Sequence, residues 1–497
     1  MGDLYSALTM LLEFNSAIAL LIGIIVGIVI GVIPGLGPSI AIALAIPFTL
    51  NMGLGPSIAL LMGLYCTSIY GGAITAIIVN VPGTPASAAT ALDGYPMAKR
   101  GDGDIALTIA TLASGIGGLI SLVVLMLLAP MLASFALRFG PLEMCLVAVF
   151  ALICIILLDR RIIIRAIVAA MLGMLIAMIG PDPVTGGTRL TFGLFQLSAG
   201  VPLVPLLIGL FAISEVVFEL TNKKKDGAVK FQRVGIRLPP RPQRKRLNWT
   251  VFKSSLIGTA VGILPGAGPT AASFIAYSEA RRSSPDPDSF GKGNPEGVAA
   301  SESGNNAVVG GALVPSLSLG IPGDPITALI LASLVLQGVI PGPRLYLEHY
   351  NIIIFILTTL CIANVGIIVF GLLGTHLWTR ILQIPHQLLL GGVVIFATIG
   401  TFSVNNSLFD LTLMVAAGLL GVLLRLGNIP VTPLIIGFVL GPLFEINFRQ
   451  SLILYSGDWM VFFDRPIAGA LLLLTLVLIA LPMLQKQLGL LLFKRRA

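Results

Sequence analysis

Two prolines and two glycines interrupt an apolar segment at Ile33 to Pro38, which reads IPGLGP, and this stretch limits what the chain can fold into more than any other. Proline removes a backbone donor and clashes with the preceding helical turn, and glycine frees the backbone, so Pro-Gly-x-Gly-Pro unwinds a helix. The pattern returns 231 residues later as LPGAGP, where Pro265, Gly266, Gly268 and Pro269 match Pro34, Gly35, Gly37 and Pro38. In lipid every unpaired amide or carbonyl is costly, so both breaks have to line a protein cavity or an aqueous one.

The composition requires a membrane chain. Of 497 residues 56% are hydrophobic and 10% charged, and the mean hydropathy of +1.00 excludes a soluble globular enzyme. Apolar runs long enough to cross about 30 Å of hydrocarbon recur along the whole length and divide into about ten to twelve helical segments. The formal charge of +8 comes from bases in a few short loops and at the C-terminus, so it reports orientation rather than nucleic-acid binding. Cys66, Cys145, Cys154 and Cys361 lie in apolar segments without CxxC spacing, and His349, His376 and His386 lie in predicted loops without ligand spacing. Neither a disulfide framework nor a transition-metal site is expected. The first base is Lys99, so the opening segment lacks the basic flank of a secretory signal and reads as a permanent span. GxSxG, Walker, HExxH and paired-carboxylate patterns are absent, which predicts a non-enzyme driven by an ion gradient or by another subunit.

Acidic Asp3 and Glu13, with no base nearby, place the N-terminus outside the cytoplasm. The first long segment, about 17 to 50, contains the break. The second ends in IIVNVPGTPASAATALDG, where Asn80, Pro82, Gly83, Thr84 and Pro85 predict a re-entrant or half-helix hairpin. Conventional helices are expected near 105–130, 141–158, 162–180 and 201–220. A basic, proline-rich connector follows. In the second half Ile321-Pro322-Gly323-Asp324-Pro325 echoes Val81 to Pro85, and Gly310-Gly311-Ala312 echoes Gly71-Gly72-Ala73. Further helices are expected near 351–373, 387–402, 407–424, 430–445 and 466–490. Placing Lys99-Arg100, Arg160-Arg161-Arg165, the connector and Lys494-Arg495-Arg496 in the cytoplasm gives the two halves opposite orientation. It leaves Arg281, Arg282 and Lys292 outside, balanced by Glu279, Asp286, Asp288 and Glu296. The expected fold is an all-α polytopic membrane protein. It has a first repeat at 1–220, a basic cytoplasmic linker at 221–249, a second, inverted repeat at 250–445, and a C-terminal helix with a basic tail at 446–497. Inverted repeats with broken helices are the pattern of secondary transporters.

An unwound helix offers free amides and a positive dipole end on its downstream half, which attract carboxylates, and carbonyls on its upstream half, which suit sodium. Ser39, Thr84, Thr270 and Thr327 follow the breaks at first-turn positions, where a hydroxyl either contacts a bound anion or caps the half-helix. Neither Lys nor Arg falls inside the broken segments, so backbone dipoles, hydroxyls and amides have to hold an anionic substrate. Asp324 is the one carboxylate within the break motifs, and reads as a sodium ligand or coupling group, or as a cap for the helix after Pro325. Asn80, Asn305 and Asn306 are amides in apolar surroundings that either bind sodium or substrate or bridge helices. The alternatives to a transporter are a cation/proton antiporter, which needs titratable intramembrane groups, and a non-transporting scaffold.

The motifs GVIPGLGP, YGGAITAIIVNVPGTPASAATALDGYPMAKRG, PGAGP, GIPGDP, GPDPVTGGTRLTFG and PLIIGFVLGPLFEINFRQSL together resemble the large membrane subunit of the bacterial tripartite tricarboxylate transporters over nearly the whole chain. The resemblance implies the translocating subunit of a sodium-coupled importer in the bacterial inner membrane. Its implied partners are a small membrane subunit of about four helices and a periplasmic solute-binding protein that captures citrate-like or other carboxylates. It also implies that the Gly and Pro positions of both Pro-Gly-x-Gly-Pro motifs, with the VPGTP and IPGDP turns, form the central site. It does not select one carboxylate.

Overall fold

The computed structural model describes residues 2–157, 162–221, 235–381 and 384–494. The expected charged loop Asp159-Arg160-Arg161, residues 222–234 of the basic connector and Arg495-Arg496 lie outside the described residues.

Proline, glycine and charge set the helix boundaries. The first half runs α1 (Gly2–Leu12), α2 (Phe14–Val32), α3 (Pro38–Thr49), α4 (Leu54–Val79), α5 (Ser87–Lys99), α6 (Gly103–Ala136), α7 (Pro141–Leu157) and α8 (Ile163–Ala177). After a two-residue-strand hairpin, β1 (Gly180–Pro181) paired with β2 (Thr188–Arg189), come α9 (Leu203–Ile208), a π turn and α10 (Ser214–Thr221). The second half runs α11 (Arg241–Ile263), α12 (Gly268–Ser283), α13 (Pro295–Leu319), α14 (Pro325–Leu336), α15 (Leu345–Glu348), α16 (Tyr350–Leu373), α17 (Thr375–Ile381), α18 (His386–Asn405), α19 (Leu408–Leu426), α20 (Val431–Leu454), α21 (Val461–Asp464) and α22 (Pro466–Lys494). Eight helical stretches among the described residues are long and apolar enough to cross a membrane, and five shorter apolar helices accompany them. The chain is an all-α, multi-span membrane protein. Helix α11 begins at Arg241, inside the stretch expected to be connector, because Pro240 ends the extended segment and supplies an N-terminal stop without an amide to lose.

Two compact units are present: residues 1–134 with 202–423, and residues 135–201 with 424–497. In the second unit α7 and α8 pack on α20, and α22 packs on α7. Gly437 of α20 lies so close to the Ala170 carbonyl of α8 that no side chain fits there. Buried Glu143 is paired with Arg465 at 2.9 Å, and Asp182 and Glu445 hold Arg189 and Arg449 in one ion-pair network.

The first unit is built around α4 and α13, which are buried on nearly all faces and not along one stripe. A helix apolar all round has to be central. Each central helix is gripped by the helix that precedes a break, α2 on α4 and α11 on α13. Small residues allow the approach: a side chain on Gly71 would stand 2.6 Å from the Ile28 carbonyl, and one on Gly311 would strike the Thr259 carbonyl. The residues of these two contacts are 231 and 240 apart. The structure therefore aligns Gly311 with Gly71 and Ala312 with Gly72. This is one residue away from the Gly-Gly-Ala echo in the sequence.

Candidate functional site

The four breaks fall where the sequence places them, between α2 and α3, α4 and α5, α11 and α12, and α13 and α14. Gly35 and Gly266 take matching left-handed conformations, with φ of 89° and 86°, which glycine alone adopts without strain. Pro38 and Pro269 open the downstream helices at positions whose amides lack a helical partner in any case. Gly37 is extended, with open space where a side chain would stand, whereas Gly268 has φ 61°.

Within each half the turn after the central helix folds back against it. A side chain on Gly83 would lie 2.7 Å from Gly72 Cα, and one on Gly323 would lie 2.7 Å from Ala312 Cα. In the second half the backbone N–H of Gly266 donates to the Gly323 carbonyl at 2.6 Å, so LPGAGP and IPGDP are joined directly. Between the halves the contact is reciprocal. Helix α3 packs on α14 and α12 on α5. Thr49 meets Ser333 at 3.2 Å in one pairing, and the Tyr277 hydroxyl donates to Asp93 Oδ2 at 2.8 Å in the other. Ser333 and Asp93 occupy equivalent positions in the repeat. Among the described residues no hydrogen bond joins Pro34–Pro38 to Pro265–Pro269; the half-helices make the connection.

The predicted side chains fall into three groups. Thr84 is buried with its hydroxyl 2.8 Å from Ser87, and Thr327 is buried beside Asp324, so both serve their own half-helices; Ser39 is half-buried and Thr270 is exposed. Asp324 caps α14: its Oδ1 accepts from the Thr327 amide at 2.7 Å and its own amide donates to Thr327 Oγ1 at 2.9 Å. Its Oδ2 accepts from the Tyr65 hydroxyl of α4 at 2.9 Å. The capping alternative is thus what the geometry contains. Asn80 is the left-handed, exposed end of α4, φ 56°. It lines an open cleft of ≈ 420 Å³ with Pro82, Ala88, Ala91, Leu92, Tyr95 and Pro96. That volume lies within the ordinary range of small-molecule sites. Asn305 and Asn306, at 0% and 1% exposure, are fully buried in α13, and neither the oxygen nor the nitrogen of either amide has a hydrogen-bond partner. A buried amide atom left unpaired costs about 1–3 kcal/mol.

Three acids escaped the sequence reading. Glu302 is fully buried in α13, where its carboxylate accepts from the Thr90 hydroxyl of α5 and from the Ser114 hydroxyl of α6, the latter at 2.9 Å. Glu215 and Glu219 of α10 approach the first break, the would-be Cβ of Gly35 lying 3.2 Å from Glu219 Oε1 and 3.6 Å from Glu215 Oε1. Glu302 stands in SESGNN beside Asn305 and Asn306, but only its packing against α5 and α6 reveals that its carboxylate is buried.

Residues 17–436 match the model of the tripartite tricarboxylate transporter TctA family. The chain belongs to this family. An uncharacterized 52.8 kDa protein in the TAR-I ttuC' 3' region of Agrobacterium vitis is 37% identical over 440 residues, covering 88% of this chain and 87% of the relative. An uncharacterized protein in the TAR-II ttuC' 3' region of the same organism is 42% identical over 228 residues, covering 46% of this chain and 94% of the relative. No solved structure matches. As a TctA-family protein the chain is the large membrane subunit of a tripartite tricarboxylate transporter, and its duplicated breaks lie inside the matched region.

Proposed function

We propose that this chain is the translocating subunit of a sodium-coupled importer of organic di- or tricarboxylates in the bacterial inner membrane. A periplasmic solute-binding protein loads it and a small membrane subunit of about four helices assists it. The N-terminus faces the periplasm, the C-terminus the cytoplasm, and the two halves are inverted repeats. The observation that carries this reading is the reciprocal pairing of interrupted helices around α4 and α13, with unsatisfied buried amides on α13.

In this mechanism the substrate carboxylates lie at the amide ends of α3, α5 and α12, held by backbone donors at Gly35, Gly37, Ser39, Thr84, Gly268 and Thr270. The amides of Gly266, Gly323, Asp324 and Thr327 are engaged within the breaks and fix their shape. Sodium at Asn305 and Asn306, whose amides have no hydrogen-bond partner, offsets the substrate charge, while Asp324 stays engaged as the cap of α14. Movement of the break-bearing hairpins against the surrounding helices alternates access. The test is uptake of labelled citrate and other small carboxylates by proteoliposomes carrying both membrane subunits, with the receptor added outside. Uptake driven by an inward sodium gradient supports the reading, and uptake indifferent to sodium, or absent with every carboxylate its receptor binds, refutes it.

A further inference from the structure

Helix α13 places Glu302, Asn305 and Asn306 at i, i+3 and i+4, so the three side chains share one face of a helix that is buried throughout. Glu302 receives two hydroxyl donors, Thr90 and Ser114, and Thr90 also lies 3.0 Å from Ser301 on the same face. Among the described residues no Lys, Arg or His pairs with Glu302. A buried carboxylate without a positive partner and two amide oxygens without donors are each unfavourable alone. One cation among them removes both penalties.

We propose that Glu302, with the amide oxygens of Asn305 and Asn306 and the hydroxyl oxygens of Thr90 and Ser301, forms the coupling sodium site. The donor set is all oxygen and carries one negative charge, which suits a hard monovalent cation, whereas divalent cations take several carboxylates. Among the described residues no group of three His, Cys, Asp or Glu exists to hold a transition metal.

The internal repeat explains why the site occurs once. Under the register set by Gly71 and Gly311, Asn305 corresponds to Tyr65 and Glu302 to Met62. Tyr65 reaches Asp324 and is satisfied by that hydrogen bond; Asn305, a shorter side chain at the equivalent position, has both amide ends free. Once the oxygen ends turn to sodium, the nitrogen ends remain as donors for a substrate carboxylate, which ties the two ligands together.

This proposal deepens the reading of the chain as a sodium-coupled carrier and rests on it. The test is binding of radioactive sodium to the purified full-length chain in nanodiscs without substrate. Saturable binding is expected, with affinity reduced at least tenfold in Glu302→Gln and in Asn305→Ala, each checked for monodispersity. Wild-type affinity in folded Glu302→Gln overturns the site. Labelling of the wild-type chain by a hydrophobic carbodiimide, read by mass spectrometry, stands independent of variant folding: sodium protection of Glu302 supports the site, and labelling unchanged by sodium overturns it. Sodium binding that depends on Glu302 in a chain that imports no carboxylate would keep the site and reject the carrier reading.

Discussion

The Tyr65 hydroxyl donates to Asp324 Oδ2 across 2.9 Å, fastening the middle of α4 to the cap of α14. That bond joins the halves at the turn the sequence marks as functional. It leaves Asp324 with every oxygen engaged, two donors from Thr327 and one from Tyr65. Tyr65→Phe should cost about 1–3 kcal/mol, the penalty for stranding a buried acceptor. A lower thermal unfolding midpoint in detergent, with unchanged half-saturation for sodium, is the expected result.

Gly323 has no room for a methyl group, since its Cβ would press on Ala312 Cα at 2.7 Å while its carbonyl holds the Gly266 amide. Gly323→Ala should destabilise the chain by about 1–3 kcal/mol or shift the break. Gly391 of α18 has open space around it, so Gly391→Ala should leave stability equal or raised by up to about 1 kcal/mol. Thermal unfolding of the two variants side by side measures the contrast.

Asp93 accepts from the amides of Gly293 and Asn294, each at 2.7 Å, and from the Tyr277 hydroxyl, fixing α5 to the start of α13 and to α12. Asp93→Ala strands three donors and should cost about 3 kcal/mol or more, whereas Tyr277→Phe removes one donor and should cost about 1 kcal/mol. A loss ordered the other way in unfolding experiments would contradict the clamp.

Asp182 is held well below the usual carboxylate range, first by the amides of Thr185 and Val184 and then by Arg449. A depressed folded-state value means that the contribution is complete above the unfolded value of about 4 and is lost as pH falls below it. Unfolding midpoints measured from pH 7 to pH 3 should therefore drop at the acidic end in the wild type and drop less in Asp182→Asn.

The breaks were legible because proline and glycine act locally: the geometry at Gly35 and Gly266 follows from residue type. The register of the repeat was not. Gly310-Gly311 imitates Gly71-Gly72 in sequence, yet Gly311 does the packing of Gly71, because contact with α11 and not resemblance sets the phase. Glu302, Glu215 and Glu219 were passed over for a related reason. Their significance comes from distant neighbours, Thr90 and Ser114 for the first and Gly35 for the others. Asp324 shows the converse, a conspicuous intramembrane acid whose nearest task is to cap a helix.

If the matched interruptions form the transport site, replacing Gly266 has to abolish transport. Gly266 combines φ 86° with an amide bonded to Gly323, so Gly266→Leu distorts the second break at one point. Sodium-driven carboxylate uptake should be measured in proteoliposomes with both membrane subunits and the receptor. Gly266→Leu, inserted and monodisperse, is expected to lose uptake by at least tenfold. Uptake equal to the wild type would contradict the site assignment.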